Sequence, residues 1–491
     1  MNIFMPHAKD FYKSGHVFQY PKGTEYVYSN WTCRSDKWAS VLPDFAHKVV
    51  FFGLQGVCQW MLIDDWNTSF FSQPLKEVVN KYRRRMDKAL GTGRVTVDHI
   101  AALHVLGYLP VRIKALPEGS RVDTRVPMWT IVNTLPEFFW VTNFLETQLS
   151  AELWLPLTSA TTAYEYRRLF DKYAELTGAV KAFVPWQGHD FSMRGMTGIT
   201  SATQSGAAHL LSFTGTDTIT AIDYLEDYYH GEATFVGGSV PATEHSVMCM
   251  GGAADELETY RRLITEVYPD GVVSIVSDTW DFWRVLTITL RKLKAEILER
   301  DGKVVIRPDS GDPVKIICGD QDAKPGTPEY KGAVQCLWEI FGGTVTHKCY
   351  DTLDSHIGLI YGDSISLERA QEILARLEAK GFSSDNIVFG IGSYTYQHVT
   401  RDTFGTAIKA TWGAVNGEPR ELFKDPKTDN GVKKSLCGLI RVEYEDGHYM
   451  AYDRQAPDQE QGGLLEPVFE DGLLVRSQSL QEIRMRLHSA G

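Results

Sequence analysis

Short apolar runs broken by polar turns recur through the middle of the chain, at 182–186, 209–213, 272–276, 304–306, 357–361 and 387–389. Between them lie segments with helical spacing of apolar positions, at 256–267, 282–299 and 367–380. Runs this short and this uniformly apolar suit strands covered on both faces. Their alternation with helices predicts a parallel sheet joined by right-handed crossovers. The residues that follow the runs carry the polar chemistry: His189-Asp190-Phe191, Gly215-Thr216-Asp217, Ser277-Asp278, Arg307-Pro308-Asp309, Gly362-Asp363 and Gly390-Ile391-Gly392-Ser393. Six such ends on one rim favour a barrel over a doubly wound sheet, because ligands bind at the carboxyl ends of parallel strands. At 303–313 the run stops at Arg307 and Asp309, with Pro308 and Pro313 forbidding a longer ladder. On its own this pair reads more readily as an ion pair that pins a loop.

The two ends of the chain are less regular. Residues 26–33 and 438–452 alternate like antiparallel strands, the second with a turn at Glu445-Asp446-Gly447. The expectation is an irregular parallel α/β barrel over 181–394, with an accessory α+β domain built from 1–180 and 395–491. There is no internal repeat.

Composition narrows the class. The 491 residues are 43% hydrophobic and 23% charged, the balance of a folded globular protein. A net charge of -12 argues against a general nucleic-acid binder, so any phosphate site must be local. Arg83-Arg84-Arg85 lies in an amphipathic pattern over 78–90 and reads as a solvated helix face. The seven cysteines are scattered, odd in number and never spaced Cys-x-x-Cys, which fits neither a disulfide framework nor a structural zinc site. No signal-peptide pattern and no long apolar run is present, so a cytoplasmic, membrane-free protein is expected.

Several blocks, in this order, carry a family resemblance: Asp10-Phe11-Tyr12-Lys13, His189 to Gly195, Gly215-Thr216-Asp217-Thr218, Ser239 to Ser246, Arg307 to Gly311 and Tyr361-Gly362-Asp363. Together they resemble the nicotinate/nicotinamide phosphoribosyltransferase family, on its nicotinamide-using side. The resemblance implies a homodimer with shared sites. It implies transfer of phosphoribosyl from phosphoribosyl pyrophosphate to nicotinamide, giving nicotinamide mononucleotide and pyrophosphate, with Mg²⁺ and with ATP as a stimulating co-substrate.

The same resemblance assigns roles. Phe191 would stack on one face of the pyridine ring and Tyr12, from the other subunit, on the second. Asp217 would accept from the carboxamide nitrogen and repel the carboxylate of nicotinate, although Asp before Thr is commonly a helix cap. Arg194 would lie beside ring and phosphate. Asp309 and Arg307 would serve the ribose and base. Gly362, Asp363, Gly392 and Ser393 would hold the ribose or 5′-phosphate. Arg34, Arg401, Lys409 and Lys424 would cradle pyrophosphate. His245 would be transiently phosphorylated by ATP, oriented by Asp278, whereas a lone histidine is commonly structural. No set of metal ligands is identified.

Three positions depart from the family pattern. Ser393-Tyr394 stands where a glycine triplet is usual, Asp36 where a basic residue often follows Arg34, and Ala407 where a small hydroxyl is common. Each would remove a phosphate contact. The alternatives are a nicotinate-using enzyme on the same barrel and a catalytically idle binding protein. A phosphoribosyltransferase of the Rossmann-like class lacks its phosphate loop here.

Overall fold

The computed structural model describes residues 3–39, 42, 45–362, 364–423 and 436–489. Six parallel strands form the central sheet: β1 (Gly188–Asp190), β2 (Gly215–Thr216), β3 (Asp270–Val276), β4 (Asp301–Arg307), β5 (Ile357–Tyr361) and β6 (Val388–Ile391), in the order β2-β1-β6-β5-β4-β3. The register aligns their carboxyl ends: Val276 with Arg307, Tyr361 with Phe389, Ile391 with Asp190 and Asp190 with Thr216. The sheet curls, and the segment 238–243 bridges both of its edges. Gly238 pairs with β2 through Thr214 and Thr216, and Pro241 and Thr243 bond the backbone of Ser274 in β3. The barrel is therefore closed by an irregular stave rather than by a full strand.

Two of the sequence-expected strands are displaced. Residues 182–186 form a 3₁₀ turn and a short helix (Val184–Gln187) with Pro185 in its first turn, where its fixed φ favours helix, and the strand begins only at Gly188. Residues 209–213 are the end of α2 (Ile199–His209) and the turn after it, because Ala207 and Ala208 extend the helix and the strand waits until Gly215. The helix expected over 282–299 contains a π turn at Val285–Thr289 and breaks at Leu293.

Both ends of the chain contribute to one seven-stranded antiparallel sheet. Its order is Glu418–Glu421, Thr406–Val415, Thr24–Cys33, Pro127–Asn133, Val111–Ala115, Glu466–Glu470 and Leu473–Leu474. Trp31 and Trp129, directly paired across two strands, stack at 5.8 Å with no solvent exposure. The Leu439–Glu445 and His448–Gln455 hairpin turns at Asp446-Gly447, both at positive φ, as the sequence indicates. Arg83, Arg84 and Arg85 are exposed on the helix Leu75–Leu90.

The 32-residue helix α1 (Glu146–Thr177) runs from the terminal sheet to the barrel helices and has no sequence signature of its own. It is buried on most sides, so no amphipathic period marks it. Thr158, Thr161 and Thr162 are accommodated because each hydroxyl donates to the carbonyl four residues earlier. Among the described residues no helix is long and apolar enough to cross a membrane, and all seven cysteines are free.

One fully buried histidine ties three barrel elements together. His209, at the end of α2, donates from Nε2 to the Gly215 carbonyl (3.1 Å), and its Nδ1 accepts from the Tyr396 hydroxyl (2.7 Å) on the helix Ser393–Tyr396. Burial pushes its pKa down to about 4, against the opposing pull of the Asp190 charge. The unfolded chain takes up this proton near pH 6.5 and the folded chain does not, so stability falls as pH drops from about 6.5 to 4. Replacing His209 with Gln should make that fall shallower by about 1.4 kcal/mol per pH unit, measured by denaturant unfolding at pH 7, 6 and 5.

Candidate active site

The site is built at the carboxyl ends of the barrel strands, around one buried carboxylate. Asp190, the last residue of β1, has no solvent exposure. Its Oδ1 accepts from the Ser192 amide (2.9 Å), and its Oδ2 accepts from the Thr218 (2.7 Å) and Thr216 (3.3 Å) hydroxyls. Its carbonyl accepts from the Asp217 amide. The turns after β1 and β2 are thereby locked together, which places Phe191 and Asp217 on one cleft. That cleft has a volume of about 490 Å³ and is lined by Phe191, Met193, Arg194, Ile199, Asp217 and Thr218.

Asp217 keeps its carboxylate at the cleft and accepts from the Ser239 hydroxyl (2.6 Å) and from His189 Nε2 (2.9 Å). Burial alone would raise its pKa, but the two hydrogen bonds, with the His189 and Arg307 charges behind them, hold it below the usual carboxylate range. His189 and Ser239 both fall in blocks that carry the family resemblance, but the sequence assigns neither a role at Asp217. His189 is one residue from Asp190 in a strand only three residues long, and Ser239 lies on the closing stave, so their meeting at Asp217 depends on barrel closure.

Phe191 sits against the ends of β5 and β6. A side-chain carbon on Gly390 would come within 2.7 Å of both the Phe191 ring and the Gly362 Cα, and one on Gly362 within 2.6 Å of Asp309 Oδ1. Two missing side chains thus bring the ring, the Gly362 backbone and the Asp309 carboxylate to one spot. The Phe191 amide donates to the Ile391 carbonyl, which fixes the ring's root.

Arg307 and Asp309 form an ion pair at 3.6 Å, and Arg307 Nη2 also donates to the Thr243 carbonyl (2.6 Å) on the closing stave. The Asp309 amide donates to Asp278 Oδ2 (3.0 Å), and the Ser310 hydroxyl donates to the same oxygen. Asp278 Oδ1 lies 3.2 Å from Nε2 of His245, which opens the helix α4 (His245–Gly251) with its ring half-exposed. Burial raises the Asp278 pKa, but Ser310, the Asp309 amide and His245 together outweigh it and hold the carboxyl low. One carboxylate therefore connects the histidine to the Arg307-Asp309 turn.

Gly392 precedes the short helix Ser393–Tyr396 and has open space where a side chain would be. Ser393 is accommodated by Gly195: a side-chain carbon there would fall 1.9 Å from the Ser393 hydroxyl. Tyr394 is half-exposed beside His398. Asp36 pairs with His47, and Ala407 is buried in the terminal sheet. Asp363 and Lys424 lie outside the described residues.

The remaining candidates gather elsewhere, on the terminal sheet. Arg34 follows the strand Thr24–Cys33 and donates to the Gly405 carbonyl (3.0 Å). Lys409 lies opposite Asn30 on the neighbouring strand, and Arg401 precedes that strand, paired with Asp402. Burial lowers the Lys409 pKa, Glu146 raises it, and the positive charges of Arg34, Lys13 and Arg401 lower it further. Lys13 pairs with Glu146, leaving the adjacent Tyr12 59% exposed. Among the described residues no hydrogen bond, ion pair or ring contact links this cationic face or Tyr12 to the barrel rim. No three His, Cys, Asp or Glu side chains among the described residues come together as a metal cage.

Comparison with known proteins agrees with this architecture. Residues 186–471 match the nicotinate phosphoribosyltransferase (NAPRTase) family, and residues 4–112 match the nicotinamide phosphoribosyltransferase N-terminal domain. The chain is 62% identical to the nicotinamide phosphoribosyltransferase of Acinetobacter baylyi, over 98% of this chain and 96% of that protein. It is 34% identical to the protein of the same name from Mycoplasma pneumoniae, over 89% and 96% respectively. Among solved structures, the nicotinate-nucleotide pyrophosphorylase of Pyrococcus furiosus aligns with a TM-score of 0.56 at 14% identity, covering 99% of this chain and 95% of that one. Human nicotinic acid phosphoribosyltransferase aligns with a TM-score of 0.54 at 15% identity, covering 98% and 93%. At those identities the two structures speak for the fold, and the sequence matches for the lineage: the chain belongs to the nicotinate phosphoribosyltransferase family.

Proposed function

We propose that this enzyme transfers phosphoribosyl from phosphoribosyl pyrophosphate to nicotinamide, releasing pyrophosphate and forming nicotinamide mononucleotide. The observation that carries the choice of base is the ionised Asp217 in the Phe191 cleft. A carboxylate held below its usual pKa accepts a hydrogen bond from a neutral carboxamide and repels a second carboxylate. The relatives named nicotinamide phosphoribosyltransferase support the same choice.

The residues then divide the work. Phe191 stacks on the electron-poor ring and Arg194 flanks it. Arg307, braced by Thr243 and Asp309, orients the base at the level of the ribose. The ring nitrogen attacks the anomeric carbon as the bond to pyrophosphate breaks, so the base gains the positive charge and no proton has to move. Asp309, beside Gly362, accepts from ribose hydroxyls and stabilises the positive charge that builds on the sugar. Gly362 and the amides around Gly392 and Ser393 hold the 5′-phosphate side. Mg²⁺, when bound with the substrate, would neutralise charge on the leaving group. Asp278 holds His245 for phosphorylation by ATP, and its other oxygen, bonded by the Asp309 amide and the Ser310 hydroxyl, links that change to the Arg307-Asp309 turn.

A homodimer completes the site in this reading. Tyr12 is exposed, and Arg34, Arg401 and Lys409 crowd like charges that an incoming pyrophosphate relieves. A second copy would supply this face to the first copy's rim. A nicotinate-using enzyme is the other reading, favoured by Arg194, which lines the same cleft and has no ion-pair partner among the described residues.

Initial rates with phosphoribosyl pyrophosphate and Mg²⁺, comparing the two bases, are expected to favour nicotinamide by at least about a hundredfold, and Asp217→Asn is expected to shrink that preference. Faster turnover of nicotinate sinks the proposal. Tyr12→Ala and Asp309→Ala should each be nearly inactive. After unfolding and co-refolding in equal amounts they should recover about a quarter of wild-type activity, because half of the random dimers carry one intact site. No recovery would place both residues in the same subunit's site. ATP should raise the apparent affinity for nicotinamide in the wild type, and His245→Asn should turn over without that response.

A further inference from the structure

The C-terminal helix α5 (Leu480–Ser489) carries none of the residues assigned above, yet it packs against α2, the helix that follows Asp217, and the segment that leads into the closing stave. Its apolar face, Leu480, Ile483 and Leu487, has no solvent exposure. It shares one buried cluster with Ala207 of α2, Leu225 of the helix α3 (Ile219–Tyr229) that follows Asp217, and Val236 ahead of the closing stave. Arg484 projects from the same helix into backbone carbonyls. Nε and Nη2 donate to Leu210 (2.9 and 2.7 Å), Nη1 donates to Phe235 (2.8 Å), and Nη2 also donates to Val236. His488 Nε2 adds a hydrogen bond to the Leu211 carbonyl (3.0 Å).

Among the described residues no carboxylate pairs with Arg484, so only carbonyl dipoles meet its charge. Burial lowers its pKa to about 10, which leaves it protonated at neutral pH. A partly desolvated cation is tolerated only where its donors are satisfied, so the carbonyls of Leu210, Phe235 and Val236 are constrained to the planar fork of one guanidinium. Leu210 follows the helix that begins after the Phe191–Arg194 turn. Phe235 and Val236 precede Gly237-Gly238-Ser239, whose serine hydroxyl donates to Asp217 at 2.6 Å.

We propose that Arg484 is a positioning residue for the pyridine base: it anchors the start of the closing stave so that Ser239 holds Asp217 in register with Phe191. This rests on reading the Phe191 cleft as the base site. Its hydrogen bonds go to Leu210, Phe235 and Val236 and none to Arg307, Asp309 or the cationic face, so its loss should weaken handling of the base and spare that of phosphoribosyl pyrophosphate. A lysine can satisfy only part of the triangle of carbonyls, and a glutamine less.

The test is steady-state kinetics of the full chain as wild type, R484K, R484Q, S239A and R484Q/S239A, varying the base at saturating phosphoribosyl pyrophosphate and then the reverse. KM for the base should rise about tenfold in R484Q and less in R484K, with KM for phosphoribosyl pyrophosphate within about twofold of wild type. Adding R484Q to S239A should raise KM for the base little further, because both act through Asp217. Equal increases for the two substrates, fully additive effects, or an unchanged KM with only a lowered melting temperature would each overturn the proposal. If R484Q does not fold, R484K against S239A and their combination decides by the same criteria. Wild-type turnover of both bases in the same series keeps the two questions apart. A wild type that prefers nicotinate refutes the nicotinamide reading, and the comparison of variants is then made on nicotinate.

Discussion

The carboxylate of Asp190 is cut off from water, and burying such a charge costs several kcal/mol unless hydrogen bonds replace its hydration. Three side-chain and amide donors do so here, and they come from the end of β2 and the turns that leave β1 and β2. The cost of leaving any of them unpaired is what forces Phe191, Thr216, Asp217 and Thr218 into a single arrangement. The residues that would touch the base are therefore rigid because a residue behind them cannot tolerate slack. His209 repeats the device one layer deeper, tying the end of α2 to β2 and to the helix beside Gly392.

The rim of the barrel was legible where strand chemistry is local. Val272 to Val276 and Val304 to Ile306 are β-branched runs closed by polar turns, and both are strands that end at Asp278 and Arg307-Asp309 as expected. Residues 182–186 and 209–213 are equally apolar but form helix and turn, because β1 and β2 are only three and two residues long and their pairing is imposed by neighbours. Apolar content says that such a segment is buried, and tertiary pairing decides its conformation. The helix α1 escaped notice for the related reason that a helix buried all round shows no period.

The site divides the same way. Residues that follow a strand in sequence, such as Asp217, Asp278 and Asp309, could be picked out because the turn after a parallel strand is where ligands lie. Most of their partners could not, His245 beside Asp278 excepted. His189 reaches Asp217 from the neighbouring strand, Thr243 braces Arg307 from the stave, and Gly195 makes room for Ser393 from a different turn. That last contact also answers the departure from a glycine triplet, since the side chain added at Ser393 is matched by one absent at Gly195. Arg34, far in sequence from Arg401 and Lys409, meets them only because strands from the two ends of the chain lie side by side.

The closing stave differs from the rest of the ring in how it is held. β3 and β4 are in register over seven residues, whereas 238–243 touches each edge strand through isolated bridges. Few backbone bonds need to break for it to swing outward, so a local opening is expected at the wall that carries Ser239 and braces Arg307. Amide hydrogens there would exchange with solvent sooner than those of β3 and β4.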